Sequence, residues 1–124
     1  GTPAVRVHIE LWQFPIRRFE GGVILSESYS NSEGRAAMIG DLHLGEYELR
    51  FGIGDYFRRK LNQPDEPSFL DIVPIRFQVV DSKQHYHIPL VSSPWAYSTY
   101  KGGALKYESP KQCLSSPYMR WIWL

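Results

Sequence analysis

The stretch HYHIPLVSSPWAYSTYKGG, His85 to Gly103, reads as two strands and the break between them. From His85 to Val91 the chain alternates, with Tyr86, Ile88 and Leu90 on one face and both imidazoles on the other. The two histidines then stand about 7 Å apart, twice the rise per residue. Pro89 suggests an edge strand or a bulge, because it has no N–H for a ladder. Ser92-Ser93-Pro94 breaks the strand, and Ala96 to Tyr100 is the next one. Lys101-Gly102-Gly103 ends it with a cation and two glycines.

Segments of the same kind precede it. Val5 to Leu11 alternates apolar and polar, with Val5, Val7, Ile9 and Leu11 on the core face. Val23 to Tyr29 has strand character, and Asn31-Ser32-Glu33-Gly34 is a turn signal. Glu46 to Phe51 alternates with Tyr47, Leu49 and Phe51 inward. Asp55 is placed to cap a short helix, Tyr56 to Leu61, which the two prolines of Asn62 to Pro67 end. Pro74 to Val79 alternates again, and Asp81-Ser82-Lys83 turns the chain toward His85–Val91 as its hairpin partner. Short strands joined by turns, with one short helix, predict an all-β sandwich. Composition changes after Gly103: residues 104–124 hold Cys113, two prolines and the apolar close Met119 to Leu124.

Composition bounds the function. The 124 residues suit one domain, and 43% hydrophobic with 22% charged residues is globular. A formal charge of +1 argues against a nucleic-acid footprint, which needs clustered basic residues. One cysteine excludes an internal disulfide and a multi-cysteine metal site. No apolar run reaches the roughly 20 residues of a membrane span. The chain begins at Gly1 without a signal-like start, which reads as a processed form or a fragment.

Three places could carry chemistry. His85 and His87 read as solvated histidines, as part of a metal site lacking a clear third ligand, or as acid–base groups titrating near neutrality. Arg35 is either a loop arginine in solvent or a guanidinium fork held after a turn to face paired oxygens. Tyr100-Lys101-Gly102-Gly103 is either a strand end or a place where backbone N–H groups and a point charge meet a ligand. Gly52-Ile53-Gly54 lacks the length and the Lys-Ser/Thr of a phosphate loop and reads as a plain turn. His8 lies on the polar face of the first strand and His43 in a loop, neither with a partner legible in the sequence.

The ordered set of segments resembles one family. Gly1-Thr2-Pro3-Ala4, Glu33-Gly34-Arg35, Gly45-Glu46-Tyr47, Gly54-Asp55-Tyr56-Phe57, His85-Tyr86-His87-Ile88-Pro89-Leu90 and Ser93-Pro94 leading to Tyr97-Ser98-Thr99-Tyr100 occur in this order. Together they resemble the 5-hydroxyisourate hydrolases, the transthyretin-related proteins of purine catabolism, over about residues 1–103. The resemblance implies a prealbumin-like sandwich, a homotetramer, and neither metal nor organic cofactor. It implies hydrolysis of 5-hydroxyisourate to 2-oxo-4-hydroxy-4-carboxy-5-ureidoimidazoline at a site shared between subunits. His87 would activate or position water, Arg35 would hold the substrate, and Tyr100, Lys101 and His85 would line the site. True transthyretins share the fold but lack the His-Tyr-His signature and this arginine. The resemblance favours the cytoplasm over the periplasm without fixing the compartment.

Three departures stand beside the resemblance. Family members carry a histidine-bearing strand before the Gly-X-Pro-Ala turn, and this sequence starts at the turn. Their closing Tyr-Arg-Gly-Ser reads Tyr100-Lys101-Gly102-Gly103 here, which keeps a charge but loses the guanidinium fork and a hydroxyl. Residues 104–124 then continue past the family's usual end as an atypical extension, and Met119 to Leu124 has the length and apolarity to fill the space of a first strand. Reduced activity is the expectation, since a lost acid–base group costs roughly 10²- to 10⁴-fold. The alternatives are a non-catalytic transthyretin-like binding or assembly module, and an inactive truncated product.

Overall fold

A computed structural model describes residues 2–15, 21–36, 42–82, 86–101 and 120–122. Within them lie eight strands and one helix. These are β1 (Thr2–Pro3), β2 (His8–Phe14), β3 (Val23–Tyr29), β4 (Gly45–Gly52), α1 (Ile53–Lys60), β5 (Ile72–Val79), β6 (Leu90–Ser92), β7 (Tyr97–Thr99) and β8 (Arg120–Ile122). One sheet runs β3-β2-β4-β5 and the other β1-β8-β6-β7. This is the predicted two-sheet sandwich with one short helix.

The alternating segments build the core. Ile9 and Leu11 of β2, Tyr47, Leu49 and Phe51 of β4, and Val73, Ile75 and Val79 of β5 all point inward. In-register pairing puts Ile9 opposite Phe51, Leu11 opposite Leu49, and Leu49 opposite Ile75. Burying each such side chain contributes about 1.5–3 kcal/mol. Leu90 and Ile88 from the segment around β6, and Ile122 from β8, close the core from the other sheet. Pro74 sits in β5, an edge strand, where a missing N–H is tolerated.

Four local readings are corrected. The first long strand starts at His8 rather than Val5, and Val5 is exposed. Arg6 takes φ 62°, a left-handed conformation that breaks the extended run before Val7. The Arg6 N–H donates to the Ser30 carbonyl at 2.8 Å, which pins this break to the end of β3.

The helix spans Ile53–Lys60 rather than Tyr56–Leu61, and Asp55 lies inside its first turn instead of capping it. Gly52 is the N-cap, without a side-chain bond. Asp55 still favours the helix, as a carboxylate near the positive end of the dipole. It also pairs with Arg58. The glycine of this turn has a packing cause: a Cβ on Gly54 would stand 2.9 Å from the Asp71 Cα. The close approach lets the Gly54 N–H donate to the Asp71 carbonyl at 2.8 Å.

Pro74–Val79 and His85–Val91 are not hairpin partners. β5 pairs with β4, while β6 belongs to the opposite sheet, between β7 and β8. The connection crosses the sandwich instead of folding back. The Tyr86 hydroxyl accepts the N–H groups of Val80 and Asp81 at 3.0 and 3.2 Å, replacing bonds a hairpin would supply. Leu90, Val91 and Ser92 are all buried, as an interior strand requires.

Pro89 lies just before β6, which is an interior strand rather than an edge; it separates the isolated bridge residue His87 from the ladder that starts at Leu90.

The chain's end enters the same sheet. Arg120–Ile122 pairs antiparallel with β6, placing Leu90 opposite Ile122, and parallel with β1 through Thr2 and Pro3. Arg120 Nε donates to the Tyr56 hydroxyl at 3.2 Å, which ties β8 to α1. Of the segment Met119 to Leu124, read as able to fill the space of a first strand, Arg120–Ile122 lie in this sheet, and Met119, Trp123 and Leu124 lie outside the described residues.

Candidate functional site

Arg35 is held by the turn before it. Asn31 Oδ1 accepts the N–H groups of Glu33 and Arg35 at 2.9 and 3.0 Å. The Asn31 N–H donates to the Arg35 carbonyl at 2.8 Å, and Gly34 takes φ 74° to close the loop. Only glycine adopts that angle without strain, which explains the Gly before the Arg. The backbone is therefore fixed while the guanidinium is free to reach out: its side chain is 68% exposed, with Glu33 at 3.9 Å.

The predicted closing segment lies beside the histidine segment. Thr99 pairs with Leu90, and Thr99 Oγ1 donates to the Pro89 carbonyl at 2.7 Å. Two residues on, Lys101 Nζ stands 5.1 Å from the centroid of the Tyr86 ring. Tyr86 is itself anchored, tilted against Phe77 with centroids 6.3 Å apart. His87, next to Tyr86, faces solvent, as alternation predicts, while Ile88 is buried. Tyr100 is half-buried and Lys101 exposed. The structure thus brings His87, Tyr100 and Lys101 to neighbouring chain segments. Arg35 follows the Asn31–Gly34 turn, and its one ion-pair partner among the described residues is Glu33. His85 lies outside the described residues, as do Gly102 and Gly103.

A separate polar cluster lies where the β2–β3 pair meets the end of β4 and α1. A cavity of about 580 Å³ is lined by Arg6, His8, Tyr29, Arg58 and Arg59 with Gly52, Asp55 and Pro64. It contains none of the predicted site residues. His8, whose partner is not legible in the sequence, pairs with Glu27 at 3.0 Å. Among the described residues, His8, Glu10 and Glu27 are the set whose donor atoms converge as metal ligands would. The signal was hidden because Glu27 comes from the neighbouring strand, and only the register brings it across.

The arrangement defines a class: a transthyretin-type sandwich with a turn-held arginine, an exposed His87 shortly before β6, and Lys101 just after β7. The chain belongs to the HIUase/Transthyretin family, whose match covers residues 1–102. It is 42% identical over 106 residues to the 5-hydroxyisourate hydrolase of Deinococcus radiodurans, covering 82% of this chain and 86% of that one. The structure of Klebsiella pneumoniae 5-hydroxyisourate hydrolase superposes with a TM-score of 0.65 at 28% identity, covering 83% of this chain and 88% of that one. Transthyretin from Sparus aurata shares the fold, with a TM-score of 0.68 at 21% identity over 82% of this chain and 85% of that one. No helix among the described residues is long and apolar enough to cross a membrane.

Proposed function

We propose that this chain hydrolyses 5-hydroxyisourate, with residues 1–103 as the hydrolase domain and 104–124 as an extension. The observation that carries the reading is the Lys101–Tyr86 contact, which holds a cation against the residue that precedes His87. Relatives at about this level of identity bear the name of that enzyme.

The chemistry follows from the residue types. A water oxygen adds to a ring carbonyl carbon of the substrate, an oxyanion forms, and the ring C–N bond then breaks as the proton taken from the water passes to the leaving nitrogen. His87 takes the proton of the attacking water or orients it, work that suits an imidazole near neutral pH. Arg35 presents its fork to the planar edge of the purine-derived ring. Lys101 supplies positive charge where the oxyanion develops, and Tyr100 lines the site with His85. No metal or organic cofactor enters these steps.

Arg35, His87 and Lys101 are all solvent-facing in the single chain. That exposure supports a site completed by a second copy, in a homotetramer. β8 carries Arg120, Trp121 and Ile122, so it brings a strand but no imidazole to this sheet. The test follows the ultraviolet absorbance of freshly generated 5-hydroxyisourate with the parent and with Arg35→Ala and His87→Ala. Losses of roughly 10²-fold or more are expected for each variant. Variants as active as the parent would overturn the residue assignment.

A further inference from the structure

On the outer face of the β2–β3 pair, His8, Glu10 and Glu27 offer one ligand atom each, all within 4.8 Å of one another. The placement is dictated by the sheet. His8 and Glu10 are two residues apart on β2, so both leave the face opposite Ile9. Glu27 stands directly opposite Glu10 in the antiparallel register. His8 lies opposite Tyr29, and the two rings lean together at 5.1 Å between centroids, which orients the imidazole.

Two carboxylates directly opposite each other on neighbouring strands repel. The cation that register supplies is engaged elsewhere. Arg50 stands opposite Glu10 on β4, but its Nε donates to Glu48 at 2.6 Å and its guanidinium lies 4.0 Å over the Trp12 ring. Glu10 is held by a neutral donor, Trp12 Nε1, at 3.1 Å to Oε1. The second carboxylate oxygen of Glu10 has no hydrogen-bond partner among the described residues. His8 Nε2 and Glu27 Oε2 are 3.0 Å apart. Two donors at about 2.0–2.1 Å from one tetrahedral ion would be roughly 3.3 Å apart, so the pair is close to that spacing already.

We propose that His8, Glu10 and Glu27 bind a divalent transition-metal ion, of which zinc is the representative. One imidazole nitrogen with two carboxylate oxygens is a mixed donor set that suits zinc better than magnesium or calcium, which take oxygen. Glu27 is 64% exposed, so water completes the coordination. The ion relieves the Glu10–Glu27 repulsion and staples the edge strand β3 to β2. None of the residues assigned to hydrolysis takes part.

The test uses the full chain and zinc ion alone. Zinc is titrated while the side-chain nitrogen resonances of His8 are followed by NMR, and calorimetry gives the affinity. A shift of the His8 Nε2 resonance is expected, with at least tenfold weaker binding at this site in Glu10→Gln/Glu27→Gln. His87→Ala should leave the His8 response in place, which separates this site from the His-Tyr-His strand. A His8 resonance that does not respond to zinc would overturn the proposal, and so would a folded double variant that binds as the parent does. The parent's NMR response decides the matter alone if the double variant does not fold.

Discussion

Lys101 Nζ stands 5.1 Å from the centroid of the Tyr86 ring, so the end of the closing segment rests on the residue preceding His87. A ring face attracts a cation electrostatically, worth about 0.5–1 kcal/mol at an exposed position. The contact fixes where the charge sits relative to the segment of His87. An ammonium there is a point charge, whereas a guanidinium would both stack and offer two parallel donors. Lys101→Arg is therefore expected to raise kcat/KM by about tenfold, an added transition-state interaction of about 1.4 kcal/mol. Steady-state rates of the two proteins check this, and a Lys101→Arg variant slower than its parent would show that the fork has nothing to hold.

Ile122 is 2% exposed and faces Leu90 across β6 and β8. Replacing it with alanine removes core volume and is expected to cost about 2–5 kcal/mol. Removing residues 119–124 would in addition open the edge of β6 and invite association between chains. Urea unfolding measures the first effect and light scattering the second. An unchanged midpoint for Ile122→Ala would mean that β8 does not hold the sheet together in solution.

Ser30 joins the start of the chain to the end of β3. Its hydroxyl donates to the Ala4 carbonyl at 2.7 Å and accepts the Val7 N–H at 2.9 Å, with the residue 2% exposed. Ser30→Ala strands both backbone groups. The expected cost is about 1–3 kcal/mol, with faster amide exchange at Val7. Ser30→Thr keeps the hydroxyl and is expected to recover part of it. Equal stability of the alanine variant and the parent would contradict the assignment.

Burial pushes the Tyr47 phenol above its ordinary 10.0, and its hydrogen bond to the His43 carbonyl only partly offsets this. The folded chain then keeps a proton that the unfolded chain releases. Stability is full below about pH 10 and falls as pH rises above it through the raised folded value. Tyr47→Phe is expected to flatten that decline relative to the parent while losing about 1 kcal/mol at neutral pH from the hydrogen bond. Urea midpoints between pH 8 and 11 check it, and parallel declines in the two proteins would contradict it.

The core strands were readable because alternation and burial coincide: Tyr47, Leu49 and Phe51 are inward as their spacing predicts. The helix existed where predicted but began earlier, since Ile53 is buried and starts the amphipathic turn without a side-chain cap. Partnering between segments was less legible. The Asp81–Ser82 turn looks like a hairpin, yet only the tertiary bonds to the Tyr86 hydroxyl reveal a crossing between sheets. For the same reason Arg35 and His87 could be singled out by residue type, whereas the His8–Glu10–Glu27 cluster depends on a strand register that composition does not carry.

Ring opening of 5-hydroxyisourate by this chain is the activity to measure. The most direct measurement adds the folded protein to freshly generated 5-hydroxyisourate and follows its ultraviolet absorbance. Decay faster than the spontaneous rate is expected, in proportion to protein concentration and lost in His87→Ala. Decay at the spontaneous rate, with the protein shown to be folded, would contradict it.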